Sequence, residues 1–174
     1  SNDAAVLGVQ DLVVVAVKAP ALHEVAPQIA PLIGPETVVL TAMNGVPWWF
    51  FEGFGGPLQG TQLQSVDASG TIARAIPART VIGCVVHASC SVDAPGVVHH
   101  HFGNGLIVGE PAGGTSARVQ ALCTLLTRAG FAASQGHPCR LGNAPHSGHA
   151  CRCTIPNESG GCADAPARAH YCRP

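Results

Sequence analysis

The amide of Asn44 is the first candidate for chemistry, because it follows an apolar run in 38-VVLTAMNGVP-47. Asn-Gly is common in tight turns, so a plain turn is one interpretation. The other is that Asn44 lies at the carboxyl end of a parallel strand, where open α/β sheets place their ligands. An amide in that place can donate to a substrate oxygen and stabilise charge that develops on a carbonyl.

Two more polar side chains follow apolar runs. Lys18 ends the run 11–17, and it is either a solvated lysine or a contact to an anionic ligand. His87 ends the run 80–86, and it is either a general acid or base or a partner in local hydrogen bonds. The residue types alone leave both pairs of interpretations open.

Histidines and cysteines raise the question of a metal site. Strand alternation would place His99 and His101 on one face, but no third ligand is evident near them. A zinc site could also be assembled on paper near the end of the chain, from His146, His149, Cys151, Cys153 and Cys162. Cys-x-Cys without a second spaced pair is a weak signal. We therefore predict no metal site.

Periodicity along the chain indicates alternating strands and helices. The run 11–17 is expected to be a strand buried on both faces, and 37–42 and 80–86 are expected to be two further strands. Residues 20–33, with Pro27 as a break, and 115–128 have helical spacing. Residues 97–102 and 106–108 are predicted to form a hairpin around Gly103-Asn104-Gly105. The order of elements is typical of α/β proteins.

Composition excludes several partners. The net charge is −1 and only 11% of residues are charged, so no basic surface for nucleic acid or an anionic membrane is indicated. No apolar run approaches the roughly 20 residues that a membrane span needs. No signal peptide is visible either, so we expect a cytoplasmic protein.

The last quarter of the chain differs from the rest. Residues 134–174 contain no Val, Phe, Met or Trp, and they include five of the eight cysteines. Such a segment cannot bury enough apolar surface to offset its chain entropy. We predict a folded domain over residues 1–133 and a poorly ordered tail over 134–174, with an altered reading frame as one hypothesis for the tail.

Several ordered motifs resemble the ketopantoate reductases (2-dehydropantoate 2-reductases) over roughly residues 10–133. They are DLVVVAVKAPAL, TVVLTAMNGVPWWFF, VIGCVVHASCSV, GVVHHHFGNGLIVGEPAGG and TSARVQALCTLLTRAGF. The resemblance implies a Rossmann-like domain that binds NADP, followed by a helical domain. It also implies reduction of 2-dehydropantoate to pantoate with NADPH, on the route to pantothenate and coenzyme A.

The resemblance assigns roles to three residues. It implies that Lys18 lies at the mouth of the cofactor site and that Asn44 contacts both the nicotinamide end of NADP and the substrate. It also implies that Ser89, in His87-Ala88-Ser89, has its backbone near the cofactor. A catalytic lysine of the family is not found, and Arg140 is the nearest remnant of its motif.

The family's first βα unit, with its GxGxxG loop, would precede Ser1, and its helical domain is not found in the sequence. We therefore expect a partial NADP-binding domain that is incomplete and inactive as an enzyme, with an open sheet edge that promotes self-association. One alternative is a reductase of another 2-oxo acid on the same fold. Another is a non-enzymatic remnant, or a small metal-binding or partner-binding protein that uses the Cys/His-rich tail.

Overall fold

The computed structural model describes residues 3–52 and 56–136, which contain one five-stranded mixed sheet. The strand order in space is the order along the chain. The strands are β1 (Leu12–Val15), β2 (Val38–Ala42), β3 (Val81–Ala94), β4 (Val97–Gly109) and β5 (Ala132–Gln135). β1, β2 and β3 are parallel, β4 runs antiparallel to β3, and β5 is parallel to β4. The predicted α/β, Rossmann-like architecture is confirmed.

Four α-helices connect these strands, with short 3-10 turns between them. They are α1 (Leu22–Ile29), α2 (Gln64–Asp67), α3 (Thr71–Ala75) and α4 (Ala117–Arg128). Pro27 lies inside α1 without dividing it. α4 begins after Ser116, whose Oγ accepts from the Val119 N–H at 3.2 Å. In the part of the chain described, no helix is long and apolar enough to span a membrane.

One face of the sheet, the first face, is closed by α1, α3 and two tryptophans. Its core contains Val13, Val15, Leu22, Ala26, Val39, Trp48, Trp49, Ile72, Ile76 and Val81. The buried carboxylate of Asp67 stabilises this layer, because it accepts hydrogen bonds from the N–H groups of Ile72 at 3.2 Å and Ala73 at 2.9 Å. Those two donors begin α3 and would otherwise have no partner within the helix.

The opposite face, the second face, is covered by α4. Its core contains Leu40, Ile82, Cys84, Leu106, Val108, Val119 and Leu122. The cover reaches only part of β1, because Leu12 packs against this core but Val14 is 55% exposed. The expectation that the run 11–17 is buried on both faces is therefore wrong. β1 is an edge strand, paired only with β2 in the described structure.

The predicted hairpin around Gly103-Asn104-Gly105 is also wrong. Residues 97–109 form one continuous strand, and its hairpin partner is β3, reached through Pro95-Gly96. Gly103 has φ +79°, and a Cβ there would lie 2.4 Å from the carbonyl oxygen of His87. The register of β3 and β4 shifts beside this contact. The glycines thus form a β-bulge rather than a turn.

β5 crosses the boundary that the sequence predicts at residue 133. Ser134 pairs with Ile107 and Gln135 with Val108, and the Gly136 N–H donates to the Val108 carbonyl at 2.9 Å. The folded part therefore continues beyond residue 133. Most of the predicted tail, including Arg140 and the proposed zinc ligands, lies outside the described residues, so the division into two domains stays a prediction.

Candidate ligand site at the carboxyl edge of the sheet

The side chain of Asn44 joins the loop after β2 to the neighbouring strand. Its Nδ2 donates to the carbonyl of Val86 at 3.0 Å, and its Oδ1 accepts from the Val86 N–H at 2.9 Å. The amide thus makes the hydrogen bonds that another strand residue would make. A carboxamide has two N–H donors and two acceptor lone pairs, so one of each is left for a ligand. The Asn44 side chain is exposed at this edge.

Lys18 and Asn44 follow two adjacent parallel strands. Val15 pairs with Thr41, and Thr41 pairs with Gly83. Lys18, Asn44 and Val86 each follow those residues by three positions, so all three lie towards the carboxyl edge of the parallel strands. Lys18 is exposed, and its extended backbone, with ψ of 145°, leads into a 3-10 turn. The loops that follow β1 and β2 at this edge therefore carry the cation of Lys18 and the amide of Asn44.

Ser89 and His87 lie on the third strand of the same edge. Ser89 is half-buried, pairs with Phe102 and lies three residues beyond Val86, the hydrogen-bond partner of Asn44. His87 is exposed, and it pairs with Gly105 on the neighbouring strand β4. The structure thus places Lys18, Asn44 and Ser89 towards the same edge of the sheet. The roles that the resemblance assigns to them remain predictions.

A small pocket, the Trp49 pocket, opens beside the Asn44 loop. Its volume is about 90 Å³, and its walls include Met43, Val46, Trp49, Gly83 and Ile107. Met43 and Gly45, which flank Asn44, both line it. Among the described residues that line the pocket, none carries a charged side chain. Sequence reasoning missed this pocket, because its walls come from three strands and a loop that are far apart in the chain.

A second feature missed by the sequence analysis is an ion pair between Glu110 and Arg118. Arg118 Nε donates to Glu110 Oε1 at 2.7 Å, and its Nη2 contacts the other carboxylate oxygen. The same guanidinium donates to the carbonyls of Arg79 at 2.7 Å and Val81 at 3.1 Å. The hydrogen bonds from Arg118 hold the pKa of Glu110 below its usual value, against the opposing effect of burial.

This ion pair lies at the amino end of β3, away from the edge that carries Asn44. It connects the end of β4 and the start of α4 to the start of β3, so we interpret it as structural. The spacing of Glu110 and Arg118 in the sequence carries no signal for it, since the intervening loop decides whether the two side chains meet.

His99 and His101 lie on the same side of the β3–β4 ribbon, as strand alternation predicts. Their rings stack with centroids 4.7 Å apart. His99 Nδ1 lies 3.5 Å from Asp93 Oδ2, and His101 Nε2 lies 2.9 Å from Ser91 Oγ. Within residues 3–52 and 56–136, no three His, Cys, Asp or Glu side chains are grouped as metal ligands.

Comparison with known proteins identifies relatives of this chain. The family model described as ketopantoate reductase PanE/ApbA matches residues 1–48. A 2-dehydropantoate 2-reductase from Mesorhizobium japonicum is 49% identical over 127 residues, which is 73% of this chain and 39% of that protein.

Solved structures agree with this result. A protein from Ralstonia solanacearum assigned to the ketopantoate reductases is 58% identical with a TM-score of 0.76, over 79% of this chain and 42% of that one. The 2-dehydropantoate 2-reductase of Geobacter metallireducens is 25% identical with a TM-score of 0.57, over 76% of this chain and 37% of that one. The chain therefore spans about two-fifths of the length of the relatives that it matches.

Proposed function

The chain belongs to the ketopantoate reductase family, and on that premise we propose that its described part forms the cofactor side of an NADPH-dependent 2-dehydropantoate 2-reductase site. The observation that carries the proposal is the pair of hydrogen bonds between Asn44 and Val86. They hold an amide at the carboxyl edge of the parallel strands, where open α/β proteins bind dinucleotides.

The residues at this edge suit a dinucleotide and an oxo acid. Lys18 supplies an exposed positive charge for a phosphate, and the backbone near Ser89 lies further along the same edge. A bound NADPH supplies the hydride that reduces the keto carbon. The second N–H of Asn44 donates to the carbonyl oxygen and stabilises the negative charge that develops there. Its fixed orientation means that little reorganisation is needed during the reaction.

The reaction also needs a proton donor for the new hydroxyl. Lys18 is the only lysine among the 174 residues, and the proposal assigns it to the cofactor. Arginine stays protonated near neutral pH and does not replace a lysine as an acid. We therefore infer that this chain binds the dinucleotide but does not complete the reduction by itself.

Calorimetric titration with NADPH tests the proposal. We expect measurable binding of NADPH by the full chain. Asn44→Ala should lower the affinity about tenfold, because the resemblance implies that Asn44 also contacts the nicotinamide end of NADP and such a hydrogen bond contributes about 1 to 1.5 kcal/mol. Asn104→Ala is a matched control, because Asn104 is also exposed and also donates to a backbone carbonyl, that of Gly130 at 3.3 Å.

Two results would contradict the proposal. Equal binding by Asn44→Ala and the unaltered chain would exclude Asn44 as a contact. Turnover of 2-dehydropantoate by the chain alone would show that another group delivers the proton. Titration with NADH in parallel tests the preference for NADPH, which depends here on the resemblance alone.

Two further inferences concern self-association and location in the cell. We infer self-association through the open edge of β1, where Val14 is exposed. Val6, Leu7 and Val9 of the preceding segment are also exposed. A cytoplasmic location stays a prediction.

A further inference from the structure

Gly103 of β4 approaches the backbone of β3 too closely for any side chain to fit between them. A Cβ on Gly103 would lie 2.4 Å from the carbonyl oxygen of His87, 3.2 Å from its carbonyl carbon and 3.3 Å from Cα of Ala88. All three are backbone atoms, so no side-chain rotation could relieve the overlap. Only glycine therefore fits at residue 103 while β3 and β4 keep their present separation.

The strand β3 lies between this contact and the amide of Asn44. The N–H and the carbonyl of Val86 bind that amide at 2.9 and 3.0 Å, on the β2 side of the strand. The carbonyl of His87, the next residue, contacts Gly103 on the β4 side. Only Cα of His87 separates the two peptide groups that carry these carbonyls. The position of the His87 carbonyl therefore controls the orientation of the groups that bind Asn44.

A hydrogen bond from His100 stabilises the backbone at Gly103. His100 Nε2 donates to the carbonyl of Gly103 at 2.6 Å, within the same strand. A carbonyl oxygen can only accept, so this ring nitrogen carries the proton. The imidazole thus connects both ends of the irregular segment 100–103 and opposes movement of Gly103 away from His87.

We propose that Gly103 is a positioning residue of the candidate site, because its close approach to His87 sets the path of β3 that orients the Asn44 amide. A methyl group at residue 103 and the His87 oxygen would have to separate by about 1 Å to reach van der Waals distance. Such a shift breaks the hydrogen bonds of Asn44 or carries the amide with it. The effect on cofactor binding rests on the proposed function, whereas the effect on Asn44 does not.

Gly96, in the connection between β3 and β4, provides a matched control. Its φ is +79°, the same as that of Gly103. Apart from its chain neighbours, no atom of the described residues lies within 4 Å of a Cβ built on Gly96. Gly96→Ala and Gly103→Ala therefore share the strain of a left-handed backbone, whereas only Gly103→Ala adds the overlap with His87. Urea unfolding verifies that both variants fold.

The side-chain NH₂ signals of Asn44 report its orientation without any cofactor. In ¹⁵N-labelled full-length chain, Asn44→Ala identifies these signals by their loss. We expect Gly103→Ala to move them, and Gly96→Ala and Asn104→Ala to leave them unchanged, since neither control adds an atom at the close approach. Unchanged Asn44 signals in a folded Gly103→Ala variant, or equal changes in Gly96→Ala, would overturn the proposal.

Two substitutions of His100 decide the question if Gly103→Ala does not fold. His100→Ala removes the hydrogen bond to Gly103, whereas His100→Gln keeps an N–H donor at a similar distance from the backbone. The Asn44 signals should move in the alanine variant and return towards their original positions in the glutamine variant. Asn44 signals that do not move in His100→Ala would then exclude this role for Gly103.

Titration with NADPH tests the link to cofactor binding by a double-mutant comparison. Gly103→Ala should lower the affinity about tenfold in the unaltered chain but less than about twofold in the Asn44→Ala variant, because both changes remove the same contact. Equal losses in the two backgrounds would show that Gly103 acts on binding by another route. If the unaltered chain does not bind NADPH, the proposed function fails, while the Asn44 signals still test the positioning.

Discussion

The two faces of the sheet differ in how completely they are covered, although β1 offers valines to both. On the first face Val13 and Val15 are at most 9% exposed beneath helices and tryptophans, whereas on the second face Val14 is 55% exposed. α4 packs over the middle of the sheet but leaves Val14 of the edge strand uncovered. A Val-rich run therefore identifies a strand, but the element that covers it decides how deeply each side is buried.

The largest difference between the faces is expected for truncation of a core residue. Ile72 is fully buried on the first face, so Ile72→Ala should lower the free energy of unfolding by about 3 kcal/mol, through lost burial and a cavity. Val14→Ala on the open part of the second face should change it by less than about 0.5 kcal/mol. Urea unfolding followed by far-UV circular dichroism compares them, and similar losses would contradict the comparison.

Thiol reactivity distinguishes the covered part of the second face from exposed β-structure. Burial, with a smaller contribution from Cys123, raises the pKa of Cys84 to about 11. At pH 8 such a thiol is about 0.1% ionised, so its alkylation should be more than a hundredfold slower than that of exposed Cys90. Mass spectrometry after timed exposure to iodoacetamide measures both sites. Comparable rates would mean that α4 does not cover Cys84.

The Glu110–Arg118 pair holds α4, which covers the second face, against the sheet. Glu110→Gln should lower the free energy of unfolding by about 1 to 2 kcal/mol near pH 7, since Arg118 would lose a charged partner. The pKa of Glu110 is lower in the folded state than in the unfolded chain. Its stabilisation is therefore present above the unfolded value, about 4.3, and is lost as the pH falls through the lowered folded value.

Unfolding at several pH values checks this expectation. The difference in the free energy of unfolding between the unaltered chain and the Glu110→Gln variant should become smaller as the pH is lowered from 7 towards 3. A difference that stays constant over that range would show that the carboxylate charge does not stabilise the fold.

The smallest effect on stability is expected at the edge of β1. Val14→Lys should change the free energy of unfolding by less than about 0.5 kcal/mol, because the side chain is exposed. It should nevertheless shift an associated chain towards monomer, since charge on an edge strand opposes strand pairing between molecules. Analytical ultracentrifugation at matched concentrations measures the change, and Val92→Lys, exposed on the ribbon, is the control.

Local sequence signals predicted the parallel part of the fold. The runs that became β1, β2 and the start of β3 are apolar and contiguous, and Gly130 follows α4 as a typical helix end. Other features had no local signal. β5 reads Ala-Ala-Ser-Gln, which has neither alternation nor β-branched residues, so only its pairing with β4 identifies it.

The candidate site was likewise only partly predictable from local sequence signals. Its position at the end of β2 follows from the apolar run before Asn44, but the anchor of the amide is Val86, 42 residues away. Gly103-Asn104-Gly105 has the composition of a turn, and only the contact with His87 makes it a bulge.

The sequential strand order has a consequence for how the protein acquires its structure. Each strand from β2 onward pairs with the strand made just before it, so in the described part only β1 must wait for a later strand to supply its first partner. During synthesis, β1 and β2 could pair while β4 is still inside the ribosome. Assembly by successive addition keeps loop closures short, which favours rapid folding of the described sheet.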